Sequence, residues 1–318
     1  MCSIVYVDAI GGLLDGPRAQ GAFLLRSILT PPWSIAIKDE APLTLVAMVR
    51  GDAWIVSDET AAVRVDSGDV AIIRGTGPYT VADDPATKPQ AIIHPGQRCT
   101  TPDGQELFET TQLGVRTWGN SLDGPTMLLT GTYTMQGAVS QRLLNALPPL
   151  LVVPRKSWES PLIPLLAAEI VKDAPGQEAV LDRLLDLLLI ATLREWFAQP
   201  GAKAPAWYKA HGDPVVGRAL QLLHNNPAQP WTVASLAAKA GVSRAALARR
   251  FTALVGEPPM SYLTEWRLAL AADLLREPGA TVGAVAHRVG YGSSFALSTA
   301  FKRRRGVSPR QHRTATQV

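Results

Sequence analysis

The spacing of hydrophobic positions changes along the chain. From Ile28 to about Tyr133, short apolar and β-branched runs alternate with turns rich in Gly, Pro and Asp, at 33–37, 43–49, 53–56, 61–65, 70–73, 90–93, 107–113 and 126–133. Short runs at roughly 8–12-residue spacing predict an antiparallel barrel or sandwich. Ahead of them, residues 1–25 carry a looser apolar pattern around Gly11 and Gly12. After Tyr133 the period lengthens to three or four residues, which predicts helices over 139–147, 162–172 and 178–198. The last of these places Leu181, Leu184, Leu185, Leu188 and Leu189 on one face, a stripe that serves either a core or a dimer interface. Residues 199–205 hold two prolines and a glycine and read as a linker.

The final hundred residues contain an internal repeat. Val233, Ala237 and Gly241 match Val282, Ala286 and Gly290 at an offset of 49, and Leu247, Phe251, Gly256 and Pro259 match Leu297, Phe301, Gly306 and Pro309 at an offset of 50. Each position suits a helix-turn-helix. Ala237 and Ala286 are small enough for a second helix to cross closely. Gly241 and Gly290 stand where the first helix must stop, and glycine enters the left-handed region without a Cβ clash. Ser243 and Ser293 can cap the second helix, which Leu247, Phe251, Leu297 and Phe301 hold on its core. Arg244, Arg249 and Arg250 then face outward in the first unit, and Ser294, Ser298, Thr299, Lys302 and Arg303 in the second. The second helix of such a motif enters the major groove of DNA, where arginine reads guanine bidentately. One long helix, at 260–276, connects the units and sets their spacing for successive grooves.

Charge sharpens this picture. The net charge of the 318 residues is only +4. From His211 onward, however, 14 Lys/Arg face 5 Asp/Glu, a net of +9, while the preceding chain has 17 against 22, a net of −5. A basic half joined to an acidic half points the basic half at a polyanion. The rest of the composition, 47% hydrophobic and 18% charged, is that of an ordinary folded protein. No run of about 18 apolar residues proposes a membrane span. The opening Met-Cys-Ser-Ile lacks the basic start of a secretory signal, and two cysteines, Cys2 and Cys99, make no disulfide framework. A cytoplasmic, nucleoid-associated protein is expected.

The repeat resembles the AraC/XylS family of bacterial transcription regulators over about residues 213–313. The resemblance rests on Trp231, Val242-Ser243-Arg244, Arg250-Phe251, Gly256 through Pro259, Trp266-Arg267, Gly290-Tyr291, Ala300 through Arg303, and Gly306 through Pro309. Upstream, Pro32-Trp33, Arg50-Gly51-Asp52, Gly68-Asp69-Val70, Arg74-Gly75, Gly131 with Tyr133, and Leu147-Pro148-Pro149 are similar to the cupin-like domain of one branch. The resemblance implies an α+β chain: a cupin-like β-barrel with a helical appendage over 1–200, for sensing and dimerisation, then an all-α double helix-turn-helix domain over 212–318. It implies promoter DNA and RNA polymerase as partners, a homodimer through 178–198, and no enzymatic activity or cofactor. It puts the base-reading positions on Ala245, Ala248 and Arg249 in the first unit and Ser294, Phe295 and Thr299 in the second. Thr299 stands where many relatives carry arginine, a departure that puts specific reading by the second unit in question and leaves it mainly to hold phosphates through Lys302 and Arg303.

The sensory half offers fewer signals. Cupin metal sites use several histidines, yet before the DNA-binding part there is only His94, with His211 in the linker region, and Tyr79 stands near an expected histidine position. No metal is therefore expected. Trp33, Trp54, Tyr79 and His94 are candidates for an effector pocket, with plain barrel core, and a structural His94, as the competing readings. Cys99 follows Arg98 in a predicted loop with His94 nearby. Positive neighbours favour the thiolate that oxidants attack, so Cys99 is read either as a redox sensor or as an inert thiol. A metal-dependent cupin enzyme with a DNA-binding tail and an effector-independent architectural DNA binder are the two alternative functions.

Overall fold

Residues 43–50, Leu-Thr-Leu-Val-Ala-Met-Val-Arg, are apolar at almost every position, the mark of a strand buried on both faces. In the computed structural model this segment is β3 (Leu43–Arg50), near the centre of a seven-stranded sheet. The model describes residues 23–107, 111–133, 144–158, 160–199, 204–277 and 279–314. The expected helix at 139–147, the apolar positions of 1–22 and Cys2 lie wholly or largely outside these.

The described residues form two compact units, one drawn from 18–135 and 147–203 and the other including 204–318. In the first, the remaining strands are β1 (Phe23–Leu29), β2 (Ser34–Ile37), β4 (Asp52–Ser57), β5 (Thr60–Asp66), β6 (Val70–Arg74), β7 (Tyr79–Ala82), β8 (Ala91–Ile93), β9 (Cys99–Thr100), β10 (Gln112–Gly114), β11 (Thr117–Gly119), β12 (Thr126–Tyr133) and β13 (Leu150–Val153). One sheet runs β10-β11-β1-β12-β3-β6-β13 and the other β5-β4-β7-β2-β8-β9. Pairing is antiparallel except for β1 with β11 and β2 with β8. Alternation along each strand aims Val46 and Met48, Ala53 and Ile55, Ala71 and Ile73, and Tyr79 and Val81 into one shared core.

Two helices follow, α1 (Leu162–Glu169) and α2 (Gln177–Ala198). The leucine stripe of α2 resolves to core: all five leucines are buried. Leu185 lies where a Cβ on Gly131 of β12 would stand, 2.5 Å from its Cδ1, so the absent side chain is what seats the helix. The Tyr133 hydroxyl donates to the Leu185 carbonyl at 3.0 Å. The large apolar side chains left exposed on α2 are Val180 and Leu187.

The second unit is helical: α3 (Ala206–Lys209), α4 (Val216–Asn225), α5 (Val233–Lys239), α6 (Arg244–Val255), α7 (Pro259–Leu274), α8 (Val282–Val289), α9 (Ser294–Arg305) and α10 (Pro309–Thr314). It has two cores. Trp231, Leu236, Ala237, Leu247 and Phe251 anchor one, and Val285, Ala286, Val289, Leu297 and Phe301 the other. The connecting helix α7 belongs to both, giving Tyr262, Leu263, Trp266 and Ala269 to the first and Leu268, Ala271, Ala272 and Leu275 just beyond it to the second.

Candidate nucleic-acid interface and barrel cavity

The repeat folds as two helix-turn-helix units whose local geometry follows from the matched residues. In the first, the Thr232 side chain accepts from Ser235 N–H at 3.0 Å and the Ser235 hydroxyl accepts from Thr232 N–H at 2.9 Å, a reciprocal cap on α5. Gly241, at φ +71°, makes the turn, and Val242 N–H donates back to the Ala237 carbonyl at 3.0 Å. Ser243 then caps α6, accepting from Ala246 N–H at 3.2 Å. The second unit repeats these steps except the reciprocal bond, because Ala284 stands where the first unit has Ser235. Thr281 caps α8, Gly290 turns at φ +89°, Tyr291 N–H donates to the Ala286 carbonyl at 2.8 Å, and Ser293 caps α9 by accepting from Ala296 N–H at 3.1 Å. Pro259 and Pro309 each open the following helix, where the missing N–H costs nothing.

Long-range bonds hold the units at a fixed separation. The Arg267 guanidinium on α7 donates to the carbonyls of Pro227 and Gln229 at 2.6 and 2.8 Å. A Cβ on Gly290 would meet the backbone of Ala228 at 2.7 Å, so the turn of the second unit lies on that same loop. Arg304 of α9 pairs with Glu265 of α7 at 3.1 Å. These partners are 38–62 residues apart and carry no local sequence signal, so sequence reasoning missed them.

Ser243 and Ser293 are helix caps. Arg244, Ala245 and Arg249 on α6, and Ser294, Phe295, Thr299, Lys302 and Arg303 on α9, are exposed, and Ala248 is half-buried. Arg250 is also exposed and has a partner within the protein. Its guanidinium pairs with Asp213 at 2.6 Å, and the same carboxylate accepts from Val215 and Val216 N–H at the start of α4. Burial pushes the Asp213 carboxyl up, but those N–H donors and Arg250 outweigh it and hold it below its usual range. Arg250 thus ties α6 to α4.

The barrel holds a partly open cavity of about 310 Å³, at the small end of ligand sites. Its walls are mainly apolar, with Leu25, Val46, Ile93, Trp118 and Leu128 among them, and Asp39, Arg116, Gln97 and Gln112 supply polar groups. Of the four effector candidates only Tyr79 lines it, its phenol pushed well up by burial. Trp33 is packed in the barrel core. Trp54 points the other way, because alternation on β4 sends Ala53 and Ile55 inward. The His94 ring is engaged by the Thr100 hydroxyl at 2.9 Å. Residues 24, 25, 93, 118 and 128 meet only through strand pairing, which is why sequence reading did not collect them.

Cys99 also lines this cavity, but not as an activated thiol. It lies in β9, 3% exposed, rather than in an open loop. Arg98 turns away to pair with Glu106 at 3.0 Å. Burial, and then the Glu106 charge, raise the thiol to about 11, so at neutral pH it stays protonated. Among the described residues no three His, Cys, Asp or Glu side chains are grouped so as to hold a metal ion. No helix of the described residues is long and apolar enough to cross a membrane.

Comparison with known proteins matches both units. A cupin family model matches residues 8–198 and a helix-turn-helix domain model residues 236–315. An AraC-like transcription regulator of Streptomyces lividans is 32% identical over 286 residues, covering 88% of this chain and 90% of its own. The transcriptional regulator AlkR of Acinetobacter baylyi is 26% identical over 313 residues, covering 96% and 99%. The RCS-specific transcriptional activator RclR of Escherichia coli is 30% identical over 194 residues, covering 59% and 68%.

Proposed function

The chain belongs to the AraC family of DNA-binding transcription regulators with a cupin-like N-terminal domain, and on that premise we propose that it binds promoter DNA sequence-specifically under control of a small molecule held in its barrel. The functional division is a sensory part over 1–200 and a DNA-reading part over 212–318. In the second part, α6 and α9 each lie in a major groove, with α7 setting the spacing so that the two grooves are successive turns on one face of the duplex, about 34 Å apart. The observation that carries this reading is the shared helix α7, which is built into both cores and braced by Arg267, so the two exposed helix faces are held as one rigid reader. Arg249 reads a guanine and Lys302 holds a phosphate. Arg249→Ala should relax base preference at one position, worth about 1–3 kcal/mol, whereas Lys302→Ala should weaken all duplexes alike and flatten the salt dependence. Selection from a random duplex pool, followed by salt titration of both variants, checks this; equal effects of both changes on selected and scrambled duplexes would refute the division of labour.

The mainly apolar cavity supports a compact, largely apolar effector. One relative is named for a specific response to RCS, and an oxidant acting at Cys99 is the competing input; the buried, protonated thiol favours a non-covalent ligand. Filling the cavity with Val46→Phe should abolish the ligand-dependent change in DNA binding, while Cys99→Ser should leave it in place; reporter expression across a panel of small apolar compounds and oxidants reads both. A transcription outcome requires contact with RNA polymerase. A homodimer through α2 would use its outer side, Val180 and Leu187, because the leucines are spent on the barrel; sedimentation of a Leu187→Glu variant tests that interface.

A further inference from the structure

The exposed ring of Phe295 is the least sheltered of the large hydrophobic side chains described, 80% exposed on a helix surface that is otherwise polar and basic. Such exposure gains nothing for folding: the ring reaches no core, while Leu297 and Phe301 of the same helix are fully buried. Two residues are about 200° of helical turn, so Phe295 points almost directly away from Leu297 and the core. Thr299 is four residues on and therefore stacks beside it on the same face, and Lys302 comes one turn later. The outward face of α9 is thus, in order, an aromatic ring, a threonine with its methyl, and an ammonium.

We propose that the second helix-turn-helix unit reads the 5-methyl groups of thymines in the major groove, through the apolar pair Phe295 and Thr299. The proposal rests on α9 being a groove-reading helix. The two units differ in chemistry at matched positions: α6 presents Ala245 and Arg249 where α9 presents Phe295 and Thr299. A guanidinium satisfies guanine; a phenyl ring offers no hydrogen bond, and the thymine methyl is the apolar feature of the groove that it can cover. Charge selects this partner over an apolar protein surface. The last turn of α9 carries Lys302, Arg303, Arg304 and Arg305, so a partner that covers the ring must also tolerate a strongly cationic helix, and duplex DNA does so. The position at the start of the helix fits as well, since the first turn of a recognition helix lies nearest the base edges.

Deoxyuridine removes the methyl of thymine and leaves its pairing intact. Full-length protein and a duplex selected from a random pool serve as the test, with each thymine in the block contacted by the second unit replaced in turn by deoxyuridine and affinity read by fluorescence anisotropy. One or two of these replacements should weaken wild-type binding about fourfold, the effect of exposing one buried methyl group. In Phe295→Ala the thymine and deoxyuridine duplexes should bind equally, Phe295→Leu should restore part of the difference, and Lys302→Ala should keep the difference while weakening both. Because Phe295 is exposed, its variants should melt with wild type. Insensitivity to every replacement, with the first block still dependent on Arg249, overturns the thymine reading alone. Uniform weakening of all duplexes by Phe295→Ala would make the ring a non-specific wedge and also overturns it. Failure to select any sequence overturns both this inference and the groove-reading function beneath it.

Discussion

Gly290→Ala should disrupt the second helix-turn-helix unit, whereas Gly241→Ala, its match in the first, should cost far less. Both glycines turn the chain at positive φ, +89° and +71°, and forcing alanine there costs about 1–2 kcal/mol. At Gly241 that is the whole cost, because a Cβ would meet nothing within 4 Å. At Gly290 the Cβ would lie 2.7 Å from both the Cα and the carbonyl oxygen of Ala228 and 2.8 Å from the Arg267 guanidinium. Backbone atoms cannot swing aside as a side chain can, so the 227–229 loop or the turn must shift. Overpacking of this kind adds about 1–3 kcal/mol. The shift would also pull Arg267 from the Pro227 and Gln229 carbonyls, and with it the brace between the units. Hydrogen exchange of the full-length protein separates the two outcomes: faster exchange through 282–305 and at 228–229 for Gly290→Ala, and little beyond the turn for Gly241→Ala. Equal costs would mean that the close approach to Ala228 is not part of the fold.

Phe301→Ala should have the largest effect on stability among single core changes in this unit. The ring is fully buried among Leu268, Ala272, Val285, Ala286, Val289 and Leu297, and it meets the His312 ring edge-on at 5.4 Å. Removing a buried phenyl ring costs about 3–5 kcal/mol, the spread reflecting how far the site collapses. Collapse is limited here, because three of the nine residues of this core are alanines and have no reach to fill the gap. Phe301→Leu should cost only about 1–1.5 kcal/mol. Urea unfolding of the full-length variants, followed by hydrogen exchange in α8 and α9, checks both values. The first unit has its own core around Phe251, so its exchange should change little.

What could be read from the sequence divides along physical lines. Strands β3 and β12 are legible almost to the residue, because eight-residue runs dominated by apolar and β-branched side chains leave a clear pattern. The strand β7, four residues between a Gly/Pro turn and two aspartates, and β9, only two residues long, are too short to show a period. The turns and caps of the repeat were legible because each is satisfied within three to five residues: Ser243 with Ala246, Gly241 with Ala237 and Val242. Arg250 and Cys99 are the opposite case. Their environments come from Asp213, 37 residues away, and from a barrel core closed by strand pairing, neither of which local charge reveals. The same holds for the leucine stripe of α2: periodicity shows that a face is apolar, and only Gly131 and Tyr133 of a distant strand show what it is buried against.

The central claim is that two rigidly linked helices read successive major grooves of one DNA site. Methylation interference on a duplex selected by the full-length protein tests it most directly, because guanine N7 methylation reports the major groove alone. The expected result is two blocks of interference on one face of the duplex, centred about 10–10.5 base pairs apart, with the block that holds a critical guanine lost in Arg249→Ala. A single block, or binding with no position-dependent interference at all, would contradict it.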